Sequence, residues 1–319
     1  MSVAAIILAG GKGTRMKSDL PKALHPVAGR PMVEHVIRTV QTVGVSKIVI
    51  VVGHQAQRVQ EALSDLSVEF ALQEPQLGTG HAVMQAAPLL ANFEGSFLVL
   101  NGDAPLLSTG SLEGLLEKHH QENAGLSLLT YEVADPMGLG RIIRDEQGRL
   151  LKIVEHKDAN TTELSIHEVN PSNFLFNNEL FDFCSQLNND NAAAEYYLTD
   201  VISLYRQANK TVLAITGDDE SKYMIGINDR YQLSQADFYL RQRIRRKWMA
   251  AGVSMIHPES IFIDDGVELA PDVMIEPNVH LKGACKVASG VRIPANCMLE
   301  DIHVNTDTLL ESFKSYKAL

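Results

Sequence analysis

The stretch Val3-Ala4-Ala5-Ile6-Ile7-Leu8-Ala9-Gly10-Gly11-Lys12-Gly13-Thr14-Arg15-Met16 decides the fold. Its first six residues form an unbroken apolar run, the pattern of a strand covered on both faces in a parallel sheet. Its second half is glycine-rich, and Arg15 and Lys22 supply cations beside it. Glycines let the backbone approach a phosphate and aim N–H groups at it. Cations of these two kinds can neutralise a triphosphate. The loop is not a Walker A motif, because no Gly-Lys-Ser/Thr closes it. Nor is it a dinucleotide fingerprint, because Met16 stands where the third glycine belongs.

Working outward, strand-like and helix-like segments alternate over the first 225 or so residues. Pro31 is expected at the first position of a helix in which Val33, Val36, Ile37, Val40 and Val43 recur with helical spacing, and Gly44 stops it. Ile48–Val52 and Phe97–Leu100 read as further buried strands, the second ending at Asn101-Gly102-Asp103. This alternation predicts an α/β fold with a doubly wound, mostly parallel sheet. Ligands of such sheets sit beyond the carboxyl ends of the strands, so chemistry is expected in the loops after Leu8 and Leu100.

A long helix is expected over 229–251, with Leu233, Ala236, Leu240, Ile244 and Trp248 as its apolar stripe and Gly252 at its end. Arg241, Arg243, Arg245, Arg246 and Lys247 are expected on its solvated side. From Ile261 to Ile302 the chain divides into seven hexads whose first positions are Ile261, Val267, Val273, Val279, Cys285, Val291 and Cys297. The third positions are Ile263, Leu269, Ile275, Leu281, Val287, Ile293 and Leu299. Such a period predicts stacked short strands around a narrow apolar prism. After it, Thr308-Leu309-Leu310-Glu311 has a capping-box pattern and predicts a short helix carrying Leu309, Leu310 and Phe313, which would cover the open coil end.

The formal net charge of −11 argues against nonspecific nucleic-acid binding. Cys184, Cys285 and Cys297 show neither paired nor CxxC spacing and are expected to be reduced thiols. No apolar run reaches membrane-spanning length, and the apolar start has no basic leader, so a cytoplasmic protein is expected.

Further motifs narrow the reading. They are Gln73-Glu74-Pro75-Gln76-Leu77-Gly78-Thr79-Gly80-His81-Ala82, Gly138-Leu139-Gly140-Arg141, Ile153-Val154-Glu155-His156-Lys157-Asp158-Ala159 and Glu195-Tyr196-Tyr197-Leu198-Thr199-Asp200. With the loop GGxGTRM and the later Pro21-Lys22, they resemble the uridyltransferase domain of the bifunctional N-acetylglucosamine-1-phosphate uridyltransferase/glucosamine-1-phosphate acetyltransferase family. The resemblance implies a fold of the nucleotide-diphospho-sugar transferase type, a linking helix and a short left-handed β-helix. It places a nucleotidyltransferase domain at 1–228, the linking helix at 229–252 and the hexapeptide-repeat β-helix with its tail at 253–319.

By matched position, Leu8, Ala9, Gly10 and Gly11 would pack under the nucleotide, and Gln73, Gly78 and Thr79 would read uracil. Gly140, Glu155 and Asn170 would hold the sugar. Asp103 and Asn228 would hold Mg²⁺, as a hard cation prefers oxygen ligands. Arg15 and Lys22 would neutralise charge during attack of a sugar 1-phosphate on UTP. No general base is needed, so His81 and His156 are expected to be structural. Taken singly, each assignment has another reading: Asp103 as a helix cap, Glu155 as a partner of Lys157, Asn170 and Asn228 as turn residues.

The implied activity forms a UDP-sugar from UTP and N-acetylglucosamine 1-phosphate with release of pyrophosphate. A different sugar 1-phosphate and a non-catalytic nucleotide-sugar-binding module are the alternatives. The β-helix would permit homo-oligomers, and seven hexads are too few for acetyl transfer between subunits. The family pattern Glu-x-Asn-Thr-Gly is here Glu168-Val169-Asn170-Pro171-Ser172. Pro171 removes a backbone donor, and serine is expected to avoid the left-handed conformation that glycine accepts, which would redirect the turn beside the sugar.

Overall fold

The computed structural model describes residues 2–217 and 226–317. They fall into two compact units, one of Met1–His25 with Met32–Asp229, the other of Pro26–Pro31 with Arg230–Leu319.

The first unit is built on a ten-stranded sheet. Along it lie Glu69–Leu72, Lys47–Val52, Val3–Leu8, Ser96–Asn101, Phe174–Phe176, Leu126–Glu132, Glu168–Asn170, Gly140–Arg144 and Leu150–Val154, while Val212–Thr216 pairs separately with Leu126–Glu132. The first four are mutually parallel. Phe174–Phe176 and Glu168–Asn170 then enter antiparallel, so the far half of the sheet is mixed. Val3–Ile7 are all buried, as the apolar run requires. Helices Met32–Thr42 and Thr109–Gln121 belong to this unit. The second starts at Ser108, whose hydroxyl accepts the Ser111 N–H at 3.1 Å and so satisfies one orphan donor of the first turn.

Pro31 lies one residue before the helix it was expected to open. Arg30–Pro31 instead pairs antiparallel with Pro26–Val27, and the helix begins at Met32, whose N–H bonds the His25 carbonyl. No helix of the described residues is long and apolar enough to cross a membrane. All three cysteines are buried and unbonded to one another, and burial pushes the Cys184 thiol up to about 12, so it is inert.

In the second unit the fourteen inward hexad positions are all buried. They close three parallel ladders, in which Phe262 pairs with His280 and His280 with Met298, a step of three hexads per coil. The step shortens by one residue where Lys286 meets His303, next to Asp301 at φ 53°. The helix runs Arg230–Ala250 and is followed by Gly252 at φ 94°.

The basic side of that helix is not wholly solvated. Arg245 is 5% exposed and donates to the Ile261 carbonyl at 3.2 Å. Arg241 pairs with Asp237 at 2.8 Å and Asp264 at 3.0 Å. Guanidinium groups are weakly hydrated and can satisfy themselves on carbonyls and carboxylates, so charge alone does not keep them in water.

The expected helix at Thr308 is absent. The Thr308 hydroxyl caps the N–H of Asn305 instead, and Ser315–Lys317 extends a ladder by pairing parallel with Met298–Glu300. Leu309 and Phe313 are 88% and 81% exposed rather than buried on a helix face. The open strand edge offers a full row of backbone partners, which outcompetes a four-residue helix with a costly nucleus.

Candidate active site

The loop after the first strand is pinned where three parallel strands end. Ala9 N–H bonds the Val51 carbonyl at 2.8 Å, Gly102 N–H bonds Leu8 at 2.9 Å, and His54 N–H bonds Gly10 at 3.1 Å. A cavity of about 280 Å³ opens there. Leu8, Ala9, Gly10, Gly11, Lys22, Gln73, Gly78, Thr79 and Asp103 line it, together with Gln76, Ala82 and Glu195, which the sequence reading did not assign. Two glycines are required by space and backbone. Gly13, at φ 58°, would place a Cβ 2.6 Å from the Cβ of Lys22. Gly78, at φ 107°, would place one 2.7 Å from the Tyr196 carbonyl oxygen. Any side chain at either position would push Lys22 or the 195–198 segment away.

That segment explains the Glu195–Asp200 motif. Tyr196 N–H bonds Leu77, Gly80 N–H bonds Tyr196, and Leu198 N–H bonds the Thr79 hydroxyl at 3.0 Å. The strap thus fixes the Gly78-Thr79 turn from behind.

Lys22 is the centre of the polar cluster. Its ammonium donates to Asn228 Oδ1 at 2.8 Å and forms a tight ion pair with Asp103. Asp103 is joined to the 226–228 segment by its carbonyl, which accepts the Ile227 N–H at 2.9 Å. Arg15 stands exposed in the loop and makes no ion pair among the described residues. Asp103 Oδ1 is buried without a hydrogen-bond partner, and a Cβ on Gly226 would fall 2.6 Å from it. An orphaned carboxylate oxygen beside an amide oxygen and a glycine cradle fits a hard cation.

Gly140, Glu155 and Asn170 do not line the cavity but come together beside it. Asn170 is the register partner of Gly140, and a Cβ on Gly140 would lie 3.5 Å from both Glu155 carboxylate oxygens. Glu155 accepts from the Thr199 hydroxyl at 3.1 Å, not from Lys157. Burial pushes the Glu155 carboxyl above its ordinary value, and nearby Asp200, Asp158 and Glu195 add to the shift against the Thr199 hydrogen bond. Glu195 also lines the cavity, so the strap links the two groups of residues.

Asn170 does make a turn: its Oδ1 accepts the Ser172 N–H at 2.9 Å. Ser172 lies at φ 64°, so the expectation that serine would avoid this conformation is overturned. The short Asn170 side chain holds the turn closed at the cost of strain in Ser172.

The fold is α/β with a polar cavity at the carboxyl ends of its parallel strands, and comparison with known proteins fixes the class. A match to the nucleotidyl transferase family spans residues 4–252, and the chain belongs to that family. It is 45% identical over 325 residues to the bifunctional protein GlmU of Pelobacter propionicus, covering 96% of this chain and 70% of that protein. Against the bifunctional protein GlmU of Streptococcus agalactiae it is 46% identical over 313 residues, covering 97% and 67%. A solved structure named as a glucose-1-phosphate thymidylyltransferase of Bacillus anthracis aligns with TM-score 0.62 at 20% identity, over 74% of this chain and 94% of that one, a likeness of fold. The protein is therefore a nucleotidyltransferase.

Proposed function

We propose that the protein joins UMP from UTP to N-acetylglucosamine 1-phosphate and releases pyrophosphate. The observation that carries this reading is the cluster of Lys22, Asp103 and Asn228 at the cavity opened by the Leu8–Gly11 loop. The high identity to the bifunctional relatives supports the choice of nucleotide and sugar.

In the proposed reaction an anionic oxygen of the sugar phosphate attacks the α-phosphorus of UTP. The new P–O bond forms as the bond to the bridging oxygen breaks, and pyrophosphate leaves with that electron pair. The nucleophile is already ionised, so positioning and charge neutralisation carry the catalysis. Arg15 and Lys22 supply positive charge to the phosphates, and Lys22 must leave Asp103 to do so. Leu8, Ala9, Gly10 and Gly11 form the floor under the nucleotide. Gln73, Gly78 and Thr79 select the base. Gly140, Glu155 and Asn170 hold the sugar. Asp103 and Asn228 would hold Mg²⁺, which when bound offsets phosphate charge.

Residues 1–228 carry this chemistry in the proposal, and 229–252 link them to a β-helix at 253–319. That β-helix would associate copies of the chain: Phe262 and Met274 remain exposed on it, and light scattering reads the outcome. Acetyl transfer is not assigned to these residues, and CoA release from acetyl-CoA with glucosamine 1-phosphate would overturn that assignment.

The deciding assay is a panel of sugar 1-phosphates against UTP, CTP, dTTP and GTP with pyrophosphate release as readout. Highest kcat/KM with UTP and N-acetylglucosamine 1-phosphate is expected. Equal use of CTP would refute the base assignment, and preference for another sugar would refute the acceptor.

A further inference from the structure

The Gln73 amide is oriented by its neighbours. The side chain is 5% exposed, and its backbone N–H is tied to the Val52 carbonyl at 2.8 Å. Nε2 donates to the Gly78 carbonyl at 2.9 Å. A carbonyl oxygen only accepts, so the amide nitrogen and not the oxygen must stand there. The same nitrogen lies 3.2 Å from Nδ1 of His81. That contact is a hydrogen bond when Nδ1 is bare and the ring proton is on Nε2; the Gln85 amide nitrogen, which lies 3.2 Å from Nε2 and donates to the His81 carbonyl at 3.1 Å, must then turn away from the ring. Both Gln73 N–H groups are then used by the protein.

Oε1 is left as the free end. It accepts no hydrogen bond among the described residues and lies against Gly10 in the cavity wall, 3.2 Å from where a Cβ on that glycine would stand. A lone acceptor at this point suits a ring N–H such as uracil N3–H, whereas the corresponding cytosine nitrogen is itself an acceptor and would face Oε1 without a proton.

We infer that His81 is a positioning residue for base selection, holding the Gln73 amide with its oxygen toward the nucleotide by accepting its second N–H. The inference rests on the proposed role of Gln73 as the base reader. Gly78 supplies one anchor through its backbone. His81 supplies the other through a side chain, so only the second can be altered without touching the loop. Behind the ring lies a cavity of about 180 Å³, with Met84 and Leu187 in its wall, which leaves room for other side chains.

The test compares kcat/KM for UTP and CTP in the full chain and its variants. His81→Leu removes the acceptor and leaves one amide N–H unpaired. The UTP:CTP ratio is expected to fall about tenfold, as loss of a single hydrogen bond allows, mainly through KM for UTP with kcat largely kept. His81→Asn restores an acceptor close to the position of Nδ1 and should return most of the ratio, which a merely structural role would not require. Thermal unfolding of both variants checks folding, and His81→Ala replaces His81→Leu if the latter does not fold. Gln73→Ala is the control. A ratio unchanged in Gln73→Ala overturns the base-reading role and the inference with it. A ratio lowered in Gln73→Ala but unchanged in His81→Leu overturns the inference alone.

Discussion

Replacing Lys22 by methionine keeps most of the unbranched side chain and removes the ammonium that holds Asp103 and Asn228. The Lys22 and Asp103 side chains are 14% and 20% exposed, so the pair is far closer to a buried than to a surface ion pair. Exposed pairs contribute about 0–1 kcal/mol, and breaking a fully buried one costs about 3–5 kcal/mol. An intermediate cost of about 2–3 kcal/mol is expected, because the Asp103 carboxylate would lose its cation with Oδ1 already unpartnered. For a unit of this size each 1 kcal/mol moves Tm by about 2–4 °C, so a loss of about 4–12 °C is expected in EDTA.

A divalent cation should recover much of that loss, since a ligand at a hundred times its Kd adds about 2.7 kcal/mol. The unmutated protein should respond less, because its ammonium already takes the Asn228 oxygen and the other Asp103 carboxylate oxygen, Oδ2. Turnover should stay low in Lys22→Met even with Mg²⁺, by on the order of 10² or more, as the loss of a charge-stabilising donor requires. Calorimetric scans of both proteins in EDTA and in Mg²⁺ decide the matter. If Lys22→Met melts with the unmutated protein in EDTA and gains no more than it from Mg²⁺, the lysine and the metal do not share these ligands and the reasoning is wrong.

Other expectations follow from the same geometry. Glu155→Gln should stabilise the protein at neutral pH: the carboxyl is raised on folding, so ionising it is a penalty present above the folded pKa. The advantage over the unmutated protein should disappear as pH falls through the unfolded value of 4.5, which urea titrations across pH can follow, while sugar-phosphate KM rises. Ser172→Gly should raise stability in urea by about 0.5–1 kcal/mol, since glycine accepts φ 64° without strain. No gain would mean that the greater freedom of glycine in the unfolded chain offsets the relief of strain. Gly78→Ala should lose turnover and unfold more readily, because its Cβ would meet Tyr196 backbone atoms at 2.7 and 2.8 Å; unchanged KM for UTP would show that the turn tolerates the shift. Ile275→Ala, within the β-helix core, should cost about 2–4 kcal/mol in chemical denaturation, and a smaller loss would mean that the coil collapses around the gap.

The sequence alone carried the periodic parts of this protein. Val3–Leu8 and the fourteen inward hexad positions lie where an apolar run and a period of six put them, because burial of such side chains dominates any local preference. The glycine-rich loop after Leu8 was equally legible as a tight turn, since Gly13 sits at φ 58° against Lys22. Tertiary structure decided the rest. The helix expected at Thr308 gave way to a strand because an open ladder edge, which no local pattern encodes, was within reach. Arg245 turned inward because the Ile261 carbonyl could accept a hydrogen bond from its guanidinium. His81, expected to be structural, meets Gln73 because the helix that bears it starts at the turn that Gln73 also bonds. Hydrogen-bond direction between side chains depends on distances of a few ångströms across separate elements, and only the folded chain sets those.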